Sequence, residues 1–223
     1  MKLLKLQLAL FSKDLIQRPD LLLNNLNSKM NGIFDDIPNI INLPIDAPAE
    51  IPVAQTKSKN GVYSLSISRN RVDFSVSPVF EIEENPLDIL KSIKPLIEKY
   101  SKEVLSNTIV GRVGLVITLF ENISDNSKAI FEKYLKETYS NGYVEAALRI
   151  NKQTLNKGIV YNNILALETA DIQTNNTIEK GVLLIHDINN TPQEDFDIGY
   201  DIISYVLSEG ITKLKPNALK ELI

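Results

Sequence analysis

Leu6-Gln7-Leu8-Ala9-Leu10-Phe11, near the start of the chain, has the same pattern as Leu115-Val116-Ile117-Thr118-Leu119-Phe120, which lies 109 residues further on. Large apolar residues alternate with smaller or polar ones in both segments. Alternation with a period of two is typical of a β-strand that buries one face. The two segments therefore predict two related strands, one at the head of each half of the chain.

The same offset aligns the helices that are predicted around these strands. The apolar stripe of the first helix falls on that of a later one, with Leu22 on Phe131 and Leu26 on Leu135. Further matches join two other predicted helices: Leu87 with Phe196, Ile89 with Ile198, Ile93 with Ile202 and Ile97 with Val206. A chance match is the alternative, since two amphipathic halves can be aligned once the offset is free. One ungapped offset for the strand and both helices favours an internal duplication.

Periodicity predicts the order β-α-β-β-β-α twice. The first set is a strand at 2–12, a helix at 19–33, strands at 53–58, 62–68 and 71–78, and a helix at 86–104. The second is a strand at 108–120, a helix at 125–139, strands at 142–151, 157–168 and 180–188, and a helix at 193–209. Thr191-Pro192-Gln193-Glu194 resembles a capping box at the start of that last helix. A short C-terminal helix is predicted from Pro216.

We therefore expect an α+β fold built as a tandem pseudo-repeat of a β-α-β-β-β-α unit, with a largely antiparallel sheet and helices on one face. Residues 1–106 form the first lobe, and residues 107–223 form the second lobe plus the short C-terminal helix. The two lobes make one compact unit. Either two antiparallel sheets meet edge to edge, or one curved sheet runs through both lobes.

Composition narrows the classes of function. The 223-residue chain has a formal net charge of −4 and no cysteine, which excludes disulfides, thiolate metal sites and cysteine nucleophiles. The acidic balance shows no basic stripe of the kind that nucleic-acid binding requires. Lys5 and Gln7 interrupt the apolar N-terminal run, and no stretch approaches the roughly 18 apolar residues of a membrane span. We expect a cytoplasmic protein without membrane contact.

Three short segments carry a resemblance to a known family. Ser68–Phe74 is similar to the "LSRDRF"-like strand of a sporadically distributed family of uncharacterised bacterial proteins, known only by a family number. Gly111–Leu115 resembles that family's "RVGLRYIN" strand, and Gly181–Asn189 its late "LLDID"-like strand. The chain departs from the pattern at 116–119, where the family shows Arg-Tyr-aliphatic-Asn, and at His186. The resemblance implies no catalytic residues, because the family has no assigned activity.

The sequence offers few residues for catalysis, for a metal or for a cofactor. His186 is the only histidine, so a Ser-His-Asp triad would have to use it, and zinc would lack further histidine or cysteine ligands. His186 and Asp187 are expected at the end of a strand, pointing to opposite faces. The carboxylates at Glu81, Glu83 and Glu84 and at Glu194, Asp195 and Asp197 precede or open predicted helices, where they offset the helix dipole.

Gly111-Arg112-Val113-Gly114 lacks the strand-to-helix turn of a nucleotide-binding loop. Gly114 instead predicts that another backbone or a bulky side chain approaches this strand closely. We predict no catalytic residue, no metal site and no cofactor.

Arg69, Arg71 and Arg112 are the candidate binding residues, because all three fall in the segments of resemblance. Arg69 and Arg71 are expected on one face of a strand or of the turn before it. They would contact an anion or an acidic partner on the sheet surface. The alternative is a solvated strand face on which each arginine pairs with an aspartate or a glutamate.

We expect a non-enzymatic protein–protein interaction or assembly module, such as an adaptor or regulatory subunit of a bacterial accessory system, for example in defence. Its partner would be another protein or a second copy of the chain. The alternative is a binder of a small ligand or nucleic acid in the cleft or on the concave sheet between the lobes. If Arg69, Arg71, Lys57 and Lys59 converge on that sheet, binding should weaken steeply with salt. An enzyme is the third possibility, with Asp73, Arg112 and His186 as the residues to mutate.

Overall fold

The computed structural model of the chain describes residues 1–44, 46–78, 85–123, 130, 133–134, 145–174, 177–193 and 196–215. Within this part of the chain, three helices and a nine-stranded sheet make an α+β fold. Every strand pair is antiparallel. The expected α+β class with an antiparallel sheet is therefore confirmed.

One sheet runs through the whole described molecule, in the order β2-β3-β4-β5-β1-β6-β9-β8-β7. Its strands are β1 (Lys2–Ser12), β2 (Asn39–Ile40), β3 (Ala54–Lys57), β4 (Tyr63–Ile67), β5 (Arg71–Val76), β6 (Val110–Asn122), β7 (Ala147–Asn156), β8 (Ile159–Thr174) and β9 (Thr177–Asn190). The two segments singled out in the sequence, β1 and β6, are neighbours at its centre. The sheet is therefore continuous from the first half of the chain into the second.

The pairing of β1 with β6 forms a central seam. Gln7 stands opposite Val116, Leu6 opposite Ile117 and Leu8 opposite Leu115. On one side of this seam the strands follow in the order β5, β4, β3, and on the other in the order β9, β8, β7. The chain passes from one side to the other between α2, which ends at Asn107, and β6, which begins at Val110.

Alternation along the strands gives the sheet two different faces. The leucines of β1 at positions 6, 8 and 10 and the apolar residues 115, 117 and 119 of β6 are all completely buried beneath the helices. We call this side the helix face. Residues between them, such as Gln7, Phe11, Arg112 and Val116, point to the other side, which we call the open face. The buried residues of the three helices join the helix-face residues of β1 and β6 in one core cluster.

The helices are α1 (Pro19–Lys29), α2 (Pro86–Asn107) and α3 (Tyr200–Lys213). A proline occupies the first turn of α1 and of α2, where its missing N–H costs no hydrogen bond, and Asn85 caps α2 through Leu87 N. Helix α2 packs between the other two and against β1 and β5. Helix α3 lies so close to β6 that a Cβ on Gly210 would stand 2.6 Å from Leu115 Cδ2.

Several predicted boundaries are wrong in the second half of the chain. Strands β7, β8 and β9 end later than expected, and β9 also begins earlier, so His186 lies within a strand and not at its end. Helix α3 begins at Tyr200, and Thr191, Pro192 and Gln193 are not helical. Before α3, Ile198 N donates a hydrogen bond of 2.7 Å to Val110 O at the start of β6, and this bond holds the segment that leads into the helix. Asp197 accordingly lies outside the first turn of that helix.

In the first half the errors are small. Helix α1 ends at Lys29, although Met30 beyond it is still buried. Helix α2 ends at Asn107, three residues later than predicted, and contains Pro95 in its interior. The predicted helix at 125–139, the carboxylates at 81, 83, 84, 194 and 195, and the helix from Pro216 lie wholly or mostly outside the described residues. No helix within the described ranges is both long and apolar enough to span a bilayer.

Candidate functional site

Two of the three candidate arginines meet at one aromatic ring on the open face. Phe11 on β1 stands opposite Arg71 on β5 and opposite Arg112 on β6. The guanidinium carbon of each arginine lies 4.9 Å from the centre of the Phe11 ring. Both distances are within the range of a cation–π interaction. Because these strands are adjacent, residues far apart in the chain form one cluster.

Arg71 is neutralised within this cluster. Its Nε and Nη2 donate to Asp73 Oδ1 at 2.9 and 2.7 Å, and Gln7 Nε2 donates to the same oxygen at 2.9 Å. Asp73 is half-buried, with 16% of its side chain exposed, and Arg71 is 33% exposed, so the pair is partly screened by solvent. The alternative expected for the arginines, pairing with a carboxylate on the strand surface, therefore holds for Arg71.

Arg112 differs because none of the described carboxylates pairs with it. Its only described interaction beyond the backbone is with the Phe11 ring. Its Nε is buried and has no hydrogen-bond acceptor among the described residues. A buried polar group without a partner costs free energy that a bound acceptor would recover. Arg112 is thus a positive charge beside an apolar ring, with hydrogen-bonding capacity left over.

The segment that carries Arg112 is held by a side chain from β9. Asn190 accepts a hydrogen bond from Val113 N at 2.7 Å, and its Nδ2 donates to Gly111 O at 3.3 Å. Asn190 is 2% exposed, so solvent does not compete for these bonds. Asn190 thereby fixes the backbone on both sides of Arg112. No sequence pattern indicates this role, since asparagine near a predicted strand end is typical of a turn.

A shallow cleft of about 630 Å³ opens at this end of the seam. It is lined by Phe11, Ser12, Lys13, Gly111, Arg112, Pro192 and Gln193. We call it the Phe11 cleft. Lys13 adds a second positive charge to its wall, although Lys13 Nζ lies 2.8 Å from Asp197 Oδ1. The cleft offers an aromatic surface with a guanidinium beside it, which suits a flat or extended group that carries negative charge.

A row of amide side chains continues from the cleft across the open face. Asn189 lies beside Gly114 and donates to Asp187 Oδ1 at 2.8 Å. Asn162 Nδ2 donates to Asn189 Oδ1 at 3.1 Å, and Asn162 Oδ1 accepts from Asn151 and from Gln153, each at 3.0 Å. Sequence patterns missed this amide row, because its members come from three different strands.

Arg69 does not join the cluster. It lies in the turn between β4 and β5, where its Nη2 donates to the carbonyl oxygen of Ala47 and its backbone N to Ala49 O. Its backbone carbonyl also accepts from Ile16 N at 2.6 Å. Arg69 therefore fastens the loop before β3 to the β4–β5 turn. Arg69 and Arg71 have separate tasks despite their closeness in sequence.

The residues named for the other possibilities are also kept apart. Asp73 and Arg112 lie on the open face, whereas His186 lies on the helix face opposite Ile117. Lys57 Nζ lies 3.8 Å from Asp36 Oδ2, and Lys59 Nζ lies 4.0 Å from Asp35 Oδ2. Neither lysine lines the Phe11 cleft.

Burial, with Lys213 nearby, lowers the pKa of His186 to about 4, so the imidazole is neutral at pH 7. Among the described side chains, no three His, Asp or Glu residues converge as a metal site requires. The structure brings Phe11, Arg71 and Arg112 together, and we take this cluster as the candidate site. No protein-family model and no curated protein sequence matches the chain, so this geometry carries the functional argument.

Proposed function

We propose that the protein is a cytoplasmic, non-enzymatic binding module that holds an acidic segment of a partner protein on the open face of its sheet. The observation that carries the proposal is Arg112, which stacks on Phe11 and has no carboxylate partner among the described residues. In this role it acts as an adaptor or regulatory subunit. The family resemblance noted in the sequence stays a prediction.

The chemistry of the Phe11 cleft favours a protein partner. Arginine and aromatic residues are enriched at the energetic centres of protein interfaces, because they combine a large contact area with directed hydrogen bonds. A carboxylate of the partner would take the free guanidinium edge of Arg112, while an apolar or aromatic group would rest on Phe11. The amide row beside the cleft offers further donors and acceptors for a peptide backbone.

We further propose that the two lobes arose by duplication of one unit. The mirrored strand order on either side of the seam supports this, and so does the register, which pairs Leu6 with Ile117 and Leu8 with Leu115 symmetrically about Gln7 and Val116. The position equivalent to Phe11 is Phe120, which is 1% exposed and stands opposite Lys2 and Leu183. Phe11 is therefore flanked by two arginines, whereas its equivalent Phe120 is flanked by Lys2 and Leu183.

Differential capture tests the proposed function. The wild-type chain, an Arg112→Gln variant and an Arg18→Gln variant are immobilised and exposed to a lysate of the organism that encodes the chain. Arg18 is an exposed arginine at the start of α1, paired with Asp20, and serves as the matched control for loss of one positive charge. We expect a protein that is retained by wild type and by the Arg18 variant and is lost with the Arg112 variant.

Light scattering of the same three proteins tests whether the partner is a second copy of the chain. In that case the wild type and the Arg18 variant are oligomers, and the Arg112 variant is a monomer. A monomeric wild type that retains no protein would overturn the proposal, and so would retention that is equal on all three columns. Retention of nucleic acid alone, reversed by salt, would replace the protein partner with a polyanion.

A further inference from the structure

A second cavity, of about 420 Å³, lies on the helix face of the sheet, away from the Phe11 cleft. Strands β7, β8 and β9 and the end of α3 contribute to its walls. Its apolar lining residues include Ile150, Leu165 and Ile188. The volume falls in the range of small-molecule sites, which are mostly apolar with a few placed polar groups.

Two buried polar atoms at this cavity have no hydrogen-bond partner among the described residues. They are Nε2 of His186, a residue that is 4% exposed, and Oδ1 of Asn163. The amide of Asn163 is held in place because its Nδ2 donates to Thr154 Oγ1 at 3.2 Å. Native proteins leave few such atoms unsatisfied, and a ligand or an ordered water can complete the bonding of these two.

The polar side of the cavity carries more positive than negative charge. Lys152 and Lys213 line it together with one carboxylate, Glu209. Neither lysine forms a salt bridge with a described residue. Lys213 is also near enough to His186 to favour the neutral imidazole, which agrees with the pKa lowered by burial. Neutral imidazole offers one hydrogen bond at Nε2 without adding charge.

We propose that this cavity binds a small organic carboxylate that has a hydrocarbon body and one N–H or O–H donor. The carboxylate lies between Lys152 and Lys213, the donor bonds to Asn163 Oδ1, and the hydrocarbon covers Leu165 and Ile188. His186 Nε2 forms a further hydrogen bond with the ligand. This site is independent of the Phe11 cleft, because the two lie on opposite faces of the sheet.

The single histidine makes the site easy to observe. In a proton NMR spectrum the Hε1 line of the imidazole belongs to His186 without further assignment. The probes are N-acetyl-L-leucine, which has an N–H donor, and mandelate, which has an O–H donor. We expect at least one of them, at millimolar concentration, to shift this line saturably. N-acetyl-L-leucinamide, which lacks the carboxylate, is the neutral counterpart. It should bind about fivefold more weakly than N-acetyl-L-leucine.

A Lys213→Gln variant should raise the dissociation constant of the carboxylate about fivefold, while Lys94→Gln, an exposed change on α2, should leave it unchanged. Because Lys213 is partly exposed, its loss is not expected to unfold the chain, and the His186 line of the free variant reports this. A histidine line that neither carboxylate moves would overturn the proposal. Equal binding of the acid and its amide, or equal binding by both lysine variants, would do the same.

Discussion

The hydroxyl of Tyr100 donates a hydrogen bond of 2.6 Å to the carbonyl oxygen of Val72. Tyr100 is fully buried in α2, and Val72 lies on β5, so this bond fastens the middle helix to the sheet. The Tyr100 ring also lies 5.6 Å from the ring of Phe74, two residues further along the strand. Burial holds the pKa of Tyr100 well above its usual value, so the hydroxyl remains a donor at every practical pH.

Removal of this hydroxyl should weaken the fold measurably. We expect Tyr100→Phe to lower the free energy of unfolding by about 1 kcal/mol, because the ring stays in place while a buried hydrogen bond is lost. Urea unfolding followed by circular dichroism measures the change. Tyr63→Phe is the control, since Tyr63 stacks on Phe74 but its hydroxyl makes no described hydrogen bond. Equal losses in the two variants would contradict the role of the bond.

Acid should destabilise the protein through His186. Its pKa is about 4 when folded and near the ordinary 6.5 when unfolded, so the unfolded chain binds more protons between these values. The stability due to neutral His186 is complete above pH 6.5 and is lost as the pH falls towards 4. Between pH 7 and pH 5 this group should cost about 2 kcal/mol. Urea unfolding of the wild type and of His186→Leu at both pH values isolates that share, and identical pH dependence in both proteins would refute it.

Close approach of backbones makes Gly181 intolerant of a side chain, and not Gly114 as the sequence suggested. A Cβ at Gly181 would overlap the Phe120 ring and the carbonyl oxygen of Glu121, whereas at Gly114 its nearest neighbour would be Asn189 Cβ at 3.6 Å. We expect Gly181→Ala to cost about 2 kcal/mol of unfolding free energy and Gly114→Ala to change it by less than about 0.5 kcal/mol. Thermal unfolding compares the two variants, and we expect the lower melting temperature for Gly181→Ala. The reverse order would contradict the close contact between Gly181 and Phe120.

Loss of the Asn190 side chain should affect both stability and partner binding. Asn190→Ala leaves Val113 N–H buried without an acceptor, which costs about 2 kcal/mol. It also frees the backbone around Arg112, so retention of the partner should fall although no contact residue has changed. Asn24→Ala, on the exposed side of α1, is the control and should alter neither quantity. Full retention of the partner by the Asn190 variant would show that the Asn190 side chain does not support binding at the Phe11 cleft.

The sequence predicted those parts of the fold in which burial leaves a clear period. Strands β1 and β6 were predicted because buried leucine and isoleucine residues alternate with smaller or polar residues along both segments. Strand β7 was misplaced because it is largely exposed at the edge of the sheet, where Leu155 is 72% exposed and polar residues obscure the alternation. The start of α3 was misplaced because Thr191 and Pro192 match a helix signal, while Ile198 N forms a hydrogen bond with Val110 O instead of a helical one.

The candidate site was predicted in part. Arg71 and Arg112 were named from the sequence, but the ring between them was assigned only to a strand pattern. Nothing local links Phe11 to Arg112, because their contact arises from strand pairing across about half of the chain. Asn190 and the amide row could not be foreseen for the same reason, since each bond joins different strands.

The seam between β1 and β6 has a consequence for any attempt to separate the two halves. A fragment ending at Asn107 would expose the edge of β1 and leave its backbone donors and acceptors without partners over most of eleven residues. A second copy of the same fragment could occupy the vacated place, aligned antiparallel about Gln7. Such a fragment would therefore associate with itself, and the covalent link between the halves keeps that edge from recruiting foreign chains.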